Sequence, residues 1–472
     1  MTADDDLMNI SSRDIFEKSD NPILNAIGEE PEEEPEAEFK DGEICFGWKL
    51  ADKRDFEQFL KRARPRVDSE NEAIRYAIRQ VAQKVANAEA EDGNEVWIDR
   101  SEPDVMFIAG ERGSGKSFIL RGLTNRSSKT DTTQVIVDIE NEFYTNNDGE
   151  GVQKDLMKLR IGEDRQNIDT KVLMPEFVYQ AREEAGMPER GYRYMDRFKF
   201  DFQILDANSI KFVLESKFDK HPDFQSFTNR LDQELQEGHI QSWDDMKDLA
   251  MDMQEEAEFT YNRRGTQIKN YIQNNYESID FLGVDQKVDL AEILKEYDNI
   301  ALVMHDGGML NDDLKLRELY LSFLIKEVRK LKERGEIDDQ ICFNLEEAHK
   351  MIPSHTSPDY PPSKQQIRQV IKQDRKRGLS VSMVSQEPTD VQRKNFLSQT
   401  KHFLIPQNIR PSPRKFVLKQ ADLWRSGDSQ RSKWSKIMDK MPKYSWLYIN
   451  SETGYWAIVD PCSPLAKHRK SD

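Results

Sequence analysis

Apolar and polar positions along the chain alternate between a spacing typical of strands and one typical of helices. Short apolar runs rich in β-branched residues predict six strands, at VMFIAG, TTQVIVDIENEFY, NIALVMHDG (299–307), QICFNLEEAH (340–349), LSVSMVSQ (379–386) and HFLIPQ (402–407). Between the third and fourth runs, a helical stripe is formed by Leu316, Leu319, Tyr320, Phe323, Leu324, Val328 and Leu331. Strands alternating with helices predict an α/β fold with a mostly parallel sheet covered on both faces.

The residues before the first of these strands predict two segments. Residues 1–43 include GEEPEEEPEAEFKDG, which carries little to bury and predicts a disordered acidic leader. Residues 44–100 are predicted to be mainly helical, because apolar residues recur there at helical spacing. These residues are Ile74, Ala77, Ile78, Val81 and Val85.

The rest of the chain predicts one core in two parts. Residues 101–149 and 291–460 contain the strand signals, whereas residues 150–290 are charged and helix-rich and predict an inserted helical subdomain. The run YSWLYINSETGYWAIVD alternates around a turn and predicts a closing hairpin. Residues 461–472 are predicted to be a tail.

Composition and charge exclude several classes of protein. The 472 residues have a net charge of −18, but residues 1–43 alone contain 15 acidic and 3 basic residues, so a nucleic-acid partner is not excluded. The three cysteines lie far apart and predict neither a disulfide framework nor a zinc site. No apolar run reaches the roughly 18 residues of a membrane span, and no signal-peptide pattern begins the chain. We therefore expect a cytoplasmic protein.

A glycine-rich stretch, GERGSGKS, follows the first predicted core strand and precedes a helix. Its spacing fits the phosphate loop G-x-x-x-x-G-K-S, in which backbone N–H groups converge on phosphate oxygens. Lys116 is expected to contact the β and γ phosphates and Ser117 to hold Mg²⁺. The predicted nucleotide-binding set is Gly110, Gly113, Ser114, Gly115, Lys116, Ser117 and Phe118.

Polar residues at the ends of two later strands supply the chemistry that such a loop requires. In ICFNLEEAHK, we expect Glu346 to reach Mg²⁺ and Glu347 to polarise the attacking water. The alternative is that paired glutamates only begin a solvated helix. Gln386 ends the strand LSVSMVSQ, where an amide can sense the γ-phosphate.

The run DRKRG, just before that strand, contains Arg375, Lys376 and Arg377. One interpretation is a solvated helix end that the helix dipole favours. The other is an arginine that completes the active site of a neighbouring subunit and neutralises charge during phosphoryl transfer.

Taken together, these motifs resemble the HerA/FtsK superfamily of ring ATPases, and the HerA-like branch more than FtsK. GERGSGKS resembles its phosphate loop, VIVDIENEFY its second strand with Asp138 and Glu142, and LEEAHKMIP its strand that ends in Glu-Glu-Ala-His. DRKRGLSVSMVSQEPTDV is similar to its arginine turn and sensor glutamine. The resemblance covers residues 104–148 and 299–408. Glu111 and Arg112 replace the small residues usual in the loop.

The resemblance implies a RecA-like core, ATP and Mg²⁺, and a hexamer that moves double-stranded DNA through a central channel. Carried over by position, Lys116 and Ser117 bind nucleotide and metal, and Glu346 assists the metal. Glu347 is then the catalytic base, Gln386 the sensor, and Arg375 the arginine that acts in trans.

A basic stretch offers one place for DNA to bind. Residues 364–433 contain 16 lysines and arginines against 5 acids, which could neutralise backbone phosphates without reading sequence. An ordinary basic surface or a subunit contact explains the same balance.

The leading hypothesis is a ring ATPase that translocates duplex DNA, either in DNA processing or in defence with a nuclease. A viral genome-packaging ATPase that docks on a capsid is the first alternative. The second is an ATP-driven assembly or scaffold protein without DNA movement. A GTPase switch is disfavoured because no Asn-Lys-x-Asp motif occurs, and a metalloenzyme because the seven histidines are scattered.

Overall fold

The computed structural model describes ten main ranges of the chain. They are residues 43–66, 95–127, 132–140, 168–187, 195–206, 222–275, 288–305, 314–356, 361–423 and 436–462, together with scattered residues between several of them and Pro464. All belong to one compact unit, residues 41–472. The predicted leader, except Glu43, and most of the predicted tail lie outside the described residues.

Within these ranges, twelve strands form one sheet. In chain order they are β1 Glu43–Asp52, β2 Glu95–Asp99, β3 Val105–Ala109, β4 Thr132–Asp138, β5 Thr170–Pro175, β6 Met195–Phe198, β7 Asn299–Val303, β8 Gln340–Leu345, β9 Leu379–Ser385, β10 His402–Pro406, β11 Trp446–Asn450 and β12 Tyr455–Pro461. The six predicted core strands correspond to β3, β4 and β7 to β10, and the predicted hairpin to β11 and β12.

The α-helices accompany these strands. They are α1 Lys53–Ala63, α2 Lys116–Ser127, α3 Glu176–Glu184, α4 Pro222–Gln236, α5 Trp243–Glu255, α6 Arg264–Asn275, α7 Leu290–Glu296, α8 Leu314–Glu333, α9 Ala348–Met351, α10 Pro362–Lys372 and α11 Pro411–Gln420. Polar side chains fix several of their starts, as the sequence dictates. Asp52 accepts from Asp55 N at 3.1 Å before α1, and Ser242 Oγ accepts from Asp245 N at 3.1 Å before α5.

The order across the sheet is β2-β1-β12-β11-β10-β3-β9-β8-β4-β7-β5-β6. Every neighbouring pair from β10 to β6 is parallel, whereas β2, β1, β12, β11 and β10 pair antiparallel. The predicted α/β fold with a mostly parallel sheet is therefore confirmed, with an antiparallel extension at one side.

Apolar layers cover both faces of the sheet. Successive residues of β3 alternate between them, because side chains along a strand point to opposite faces. Phe107 belongs to the larger layer, which contains the stripe of α8, while Ile108 belongs to the smaller layer with Leu120 of α2. All seven residues of the predicted α8 stripe are buried. The strand that leads to the glycine loop is thus held from both sides.

The segment 44–100 differs from the mainly helical prediction. It begins with β1 and ends with β2, and helical residues lie between them, with Ala77 and Val81 fully buried. The strand signal of β1 is weak because Gly47 interrupts its apolar run. In the structure, the pairing with β2 shifts register at this point, between Cys45 and Gly47. A Cβ at Gly47 would lie 2.3 Å from Asp460 O of β12, so the close approach of the two strands requires glycine.

The segment 150–290 also differs in part from its prediction. Helices α4 to α6 form the expected helical region, but β5 and β6 precede them and extend the main sheet beyond β7. The buried run in β5 is too short for its pattern to distinguish a strand from a helix; it consists of Val172, Leu173 and Met174. Of β6, only Phe198 is buried, so this edge strand leaves almost no apolar signal.

Arg100, Asp104 and His402 form a buried ion cluster where β3 and β10 begin. Arg100 Nε lies 3.3 Å from Asp104 Oδ1, and His402 Nε2 lies 2.8 Å from Asp104 Oδ2. Burial alone would raise the pKa of Asp104, but the nearby Arg100 and His402 outweigh it and hold that pKa below its ordinary value. The cluster ties the residue before β3 to the first residue of β10.

Replacing Asp104 tests this cluster. Asp104→Ala should lower the free energy of unfolding by about 3–5 kcal/mol at neutral pH, because Arg100 is left buried without its carboxylate. The depressed pKa gives a contribution that is present above about pH 4 and is lost as the pH falls through the folded-state pKa. Urea unfolding should therefore show a difference that shrinks in acid. Asp338→Ala, at an exposed position, is the control, and an equally small effect at Asp104 would contradict the assignment.

Candidate nucleotide-binding and catalytic site

The predicted site residues meet at the edge of the sheet where the parallel strands end. β3, β9 and β8 are neighbours in that order, so the residues that follow them lie side by side. Gly110 follows β3, Gln386 follows β9, and Glu346 and Glu347 follow β8. Gly110 N donates to Ser385 O at 3.1 Å, which continues the pairing of β3 with β9 into the loop.

The glycine loop turns sharply between β3 and α2. Gly113 and Gly115 have φ angles of 75° and 92°, the left-handed region that favours glycine. Ser114 and Lys116 are buried, and Lys116 Nζ donates to Glu111 O at 3.1 Å across the turn. Helix α2 begins at Lys116, so the positive end of its dipole faces the loop. The loop therefore combines left-handed glycines, a lysine and the positive end of a helix, which is an arrangement of the kind that holds phosphate.

Ser117 and Phe118 complete the predicted set and are half-buried. Phe118 packs against the smaller apolar layer. This contact anchors α2 to the sheet and holds the start of the helix beside the loop.

Glu346 is positioned by the neighbouring strand β4. Its carboxylate is buried, and Glu346 Oε2 accepts from Ile139 N at 3.2 Å. Asp138, the last residue of β4, is fully buried, and its Oδ2 accepts from Phe143 N at 2.9 Å. Carboxylate and hydroxyl oxygens are ligands that Mg²⁺ prefers. The oxygen donors of Ser117 and Glu346 therefore fit this ion, whereas Glu142, named by the resemblance, lies outside the described residues.

Glu347 has an unusual backbone and a fixed carboxylate. Its φ of 50° and ψ of 46° are left-handed, a conformation that costs a non-glycine residue roughly 1–3 kcal/mol and concentrates at functional sites. The side chain is buried, and Gln386 Nε2 donates to Glu347 Oε1. His349 Nδ1 lies 3.3 Å from Glu347 Oε2. The buried turn therefore orients Glu347 and joins it to the end of β9.

His349 also belongs to this group, although the sequence predicted no functional role for it. Its Nδ1 lies 3.3 Å from Ser385 Oγ as well as near Glu347. Burial lowers the pKa of His349, although the Glu347 carboxylate opposes that shift. A neutral imidazole is therefore favoured beside the carboxylate. The only sequence signal was its place in the motif Glu-Glu-Ala-His.

Arg375 does not join the other site residues. It lies in a single 3₁₀ turn, Asp374–Arg377, at the start of β9, on the opposite edge of the sheet from the glycine loop. Arg375 Nε donates to Pro103 O at 2.9 Å. Within one chain, Arg375 is therefore separated from Lys116 and Glu347 by the length of β9.

The basic stretch 364–433 is divided between two edges of the sheet and the protein interior. Lys364 is fully buried and donates to Pro353 O at 2.7 Å. Arg377 lies before β9 and pairs with Asp374 at 2.7 Å, whereas Arg414 lies after β10 and pairs with Asp439 at 2.7 Å. The positive balance of this stretch is thus not one continuous surface.

A second contact that the sequence did not predict links the loop to the end of β10. Glu111 Oε1 accepts from both Arg410 N, at 2.8 Å, and Arg410 Nε, at 2.6 Å. The two residues are far apart along the chain, so only the departure at Glu111 from the small residues of similar loops pointed to this position. The contact fixes the loop against the residue that precedes α11.

Comparison with solved structures shows the fold. VirB4 of Thermoanaerobacter pseudethanolicus matches with a TM-score of 0.50 at 13% identity, over 79% of this chain and 94% of VirB4. This chain has a P-loop NTPase-like fold. The fold implied by the HerA/FtsK resemblance is thereby confirmed.

Two further solved structures are less similar. The plasmid coupling protein TrwB, in complex with the GTP analogue GDPNP, has a TM-score of 0.48 at 12% identity, over 92% of this chain and 98% of TrwB. The genome packaging NTPase B204 from Sulfolobus turreted icosahedral virus 2, in complex with AMP, has a TM-score of 0.34 at 9% identity, over 76% of this chain and 98% of B204. No protein-family model and no curated protein matches the sequence.

Within the ranges that the structure describes, none of the helices combines the length and the apolar character that crossing a bilayer requires.

Replacing a loop glycine separates backbone strain from nucleotide binding. Gly115→Ala and Gly335→Ala place alanine at φ angles of 92° and 69°, and neither added Cβ meets another atom. Each should lower the free energy of unfolding by about 1–2 kcal/mol. Only Gly115→Ala should weaken ATP binding, by about tenfold or more, because Gly115 lies in the predicted phosphate loop whereas Gly335 follows α8. Calorimetric titration with ATP measures this, and equal affinities of the two variants would count against the loop as the binding site.

Proposed function

We propose that this protein is an oligomeric ATPase that couples ATP hydrolysis to the translocation of double-stranded DNA. The observation that carries the ATPase assignment is the convergence of Lys116, Glu347 and Gln386 at one edge of the sheet, on a P-loop NTPase-like fold. A phosphate-binding turn, a fixed carboxylate and a strand-ending amide are the groups that phosphoryl transfer to water requires.

The glycine loop and the start of α2 are the proposed phosphate-binding elements. The backbone N–H groups at the start of α2 are proposed to donate to phosphate oxygens, and Lys116 Nζ, now on Glu111 O at 3.1 Å, exchanges this carbonyl for the β and γ phosphate oxygens. Such an exchange has little cost, because a charged donor moves from one oxygen to a more negative one.

Glu347 is the proposed general base. Its carboxylate, held by Gln386 and lying near His349, accepts a proton from the water that attacks the γ-phosphate. The buried left-handed turn and the contact with Gln386 hold the carboxylate in one orientation, which is the kind of preorganisation that lowers the barrier. Gln386 contacts Glu347 directly, so loss of the γ-phosphate would change the contacts of Gln386 at the end of β9 and the positions of the residues that follow.

Ser117 and Glu346 are the proposed residues for Mg²⁺. When bound there, the ion would neutralise charge on the β and γ phosphates. Ile139 N already restrains one oxygen of Glu346, and the carboxylate would serve as a ligand or hold a ligand water.

Arg375 is proposed to act on the nucleotide of a neighbouring subunit. It lies on the sheet edge opposite its own glycine loop, and its Nε is anchored to Pro103 O. A ring of identical subunits is closed by head-to-tail contacts, in which two different surfaces of the same subunit meet. An arginine placed there can neutralise charge that develops across the interface.

Double-stranded DNA is proposed as the polymer that moves. The proposal depends on the resemblance to HerA/FtsK ATPases and on exposed basic residues, among them Lys372 and Lys376 before β9 and Lys415 and Lys419 on α11. Contacts from such residues would neutralise backbone phosphates without reading sequence. DNA processing or defence with a nuclease, and viral genome packaging, are the two settings proposed for such a motor.

The experiment that tests the ATPase uses Glu347→Gln. ATP binding should persist while the hydrolysis rate falls by about 100-fold or more, because the water-activating base is lost and the phosphate-binding turn is intact. Steady-state phosphate release and ATP titration measure the two quantities. Glu336→Gln, the same change at an exposed glutamate after α8, should leave both unchanged. Equal loss of binding and hydrolysis in Glu347→Gln would contradict its role.

Linear double-stranded DNA tests the coupling. It should raise the hydrolysis rate of the unaltered protein and leave that of Glu347→Gln at background. Hydrolysis that is indifferent to DNA would instead favour the ATP-driven assembly protein, in which nucleotide closes a ring and DNA does not move.

Mixing two inactive subunits tests the trans arginine. Arg375→Ala and Lys116→Ala proteins should each hydrolyse ATP poorly, and their mixture should regain part of the rate at interfaces that pair an intact Arg375 with an intact Lys116. Arg377→Ala, two residues away, provides the matched control. A mixture with no recovery at any ratio would leave Arg375 with a structural role only.

A further inference from the structure

The order of the strands fixes which way a bound nucleotide runs. The γ-phosphate has to lie toward β9 and β8, where Gln386 and Glu347 end the strands. β10 and β11 lie on the other side of β3. The nucleoside end of the ligand therefore lies toward β10 and β11, where the sequence motifs assign no binding residue.

An exposed aromatic residue lies on this side, at the same edge of the sheet. β11 runs antiparallel to β10, so its first residue, Trp446, pairs with Pro406, the last residue of β10. Gln407 N donates to Ser445 O at 3.1 Å. Tyr444, one residue before Ser445, is thereby placed beside the segment that leaves β10 on the nucleotide edge.

Tyr444 differs from the buried aromatic residues around it. Its side chain is 62% exposed, more than the other exposed large apolar residues of the described ranges, Tyr76 at 39% and Tyr261 at 46%. Its φ of 71° is left-handed, a strained conformation for a residue with a Cβ that is often found at binding sites. Lys443 Nζ lies 4.8 Å from the ring centroid, so a cation accompanies the ring.

Hydrogen bonds hold the glycine loop to residues on the side of β10 and β11. Glu111 holds Arg410 through two hydrogen bonds, and Arg410 is three residues beyond Gln407. Pro406 also lies against the loop, since a Cβ on Gly110 would come within 3.0 Å of Pro406 Cγ. The loop, the end of β10 and the turn before β11 thus form one connected region.

We propose that Tyr444 stacks on the nucleobase of the ATP whose phosphates occupy the glycine loop. The inference rests on the proposed function and adds a nucleoside subsite to it. An exposed ring offers a π-face to a base, and stacking of this kind is tolerant of base identity. Arg410 is held to the loop by Glu111 on the same side of β3 as the proposed subsite.

Comparing ATP with inorganic tripolyphosphate isolates this subsite, because tripolyphosphate has the three phosphates and no nucleoside. Both are titrated by calorimetry with Mg²⁺ into the Glu347→Gln protein, which is expected not to turn ATP over. Adding Tyr444→Ala should weaken ATP binding by about tenfold and change tripolyphosphate affinity by less than about twofold. Tyr444→Phe keeps the ring and should keep the ATP affinity.

Tyr261→Ala is the matched control, since it removes an exposed tyrosine from the turn before α6, far along the chain from the loop. It should change neither affinity. Unchanged ATP affinity in Tyr444→Ala, or an equal loss for ATP and tripolyphosphate, would overturn the subsite and leave the proposed function standing. Failure of the Glu347→Gln parent to bind either ligand would overturn the proposed function itself, and the subsite with it.

Discussion

The parallel pairing of β3, β9 and β8 is the constraint on which the rest of the site depends. Neighbouring parallel strands end at the same edge of the sheet. The glycine loop, the Gln386 amide and the Glu347 carboxylate therefore lie close together although they are distant in sequence. The hydrogen bond from Gly110 N to Ser385 O shows that this pairing continues beyond the strand itself. A slip of one residue in β9 would turn Gln386 to the other face of the sheet and separate it from Glu347.

Burial and backbone strain coincide at Glu347, on the same edge. Glu347 combines a buried carboxylate with a left-handed backbone, and each of these is unfavourable for a residue with no role there. The opposite edge is held differently, by the ion cluster of Arg100, Asp104 and His402 beneath β3 and β10. The proposed catalytic residues thus lie at one edge and this cluster at the other, and Arg375 lies at the edge of the cluster.

Sequence was sufficient where pattern and chemistry are local. The runs that became β3, β4 and β7 to β10 are short, rich in apolar residues and almost entirely buried, as parallel strands in a covered sheet are. The glycine loop was recognisable because its backbone requirements restrict residue type at fixed spacing. The long stripe of α8 repeats over several turns, which makes its period unambiguous.

Other features depend on contacts that no local pattern records. β1 carries a glycine that the strand needs only because Asp460 O approaches it, and β6 is an edge strand with a single buried residue. The hydrogen bonds between Glu111 and Arg410 join two residues from different parts of the chain, so no local sequence pattern predicts the contact. Tyr444 looks like an ordinary residue in sequence, and its exposure and left-handed backbone are visible only once β11 is placed beside β10.

The measurement that tests the account most directly is a crystal structure of the Glu347→Gln protein with ATP and Mg²⁺. The account predicts the triphosphate in the glycine loop, Lys116 Nζ moved from Glu111 O to the phosphates, and the γ-phosphate facing Gln386 and residue 347. The nucleoside should extend toward β10 and Tyr444. A triphosphate bound away from the loop, or one whose γ-phosphate points away from the end of β8, would contradict it.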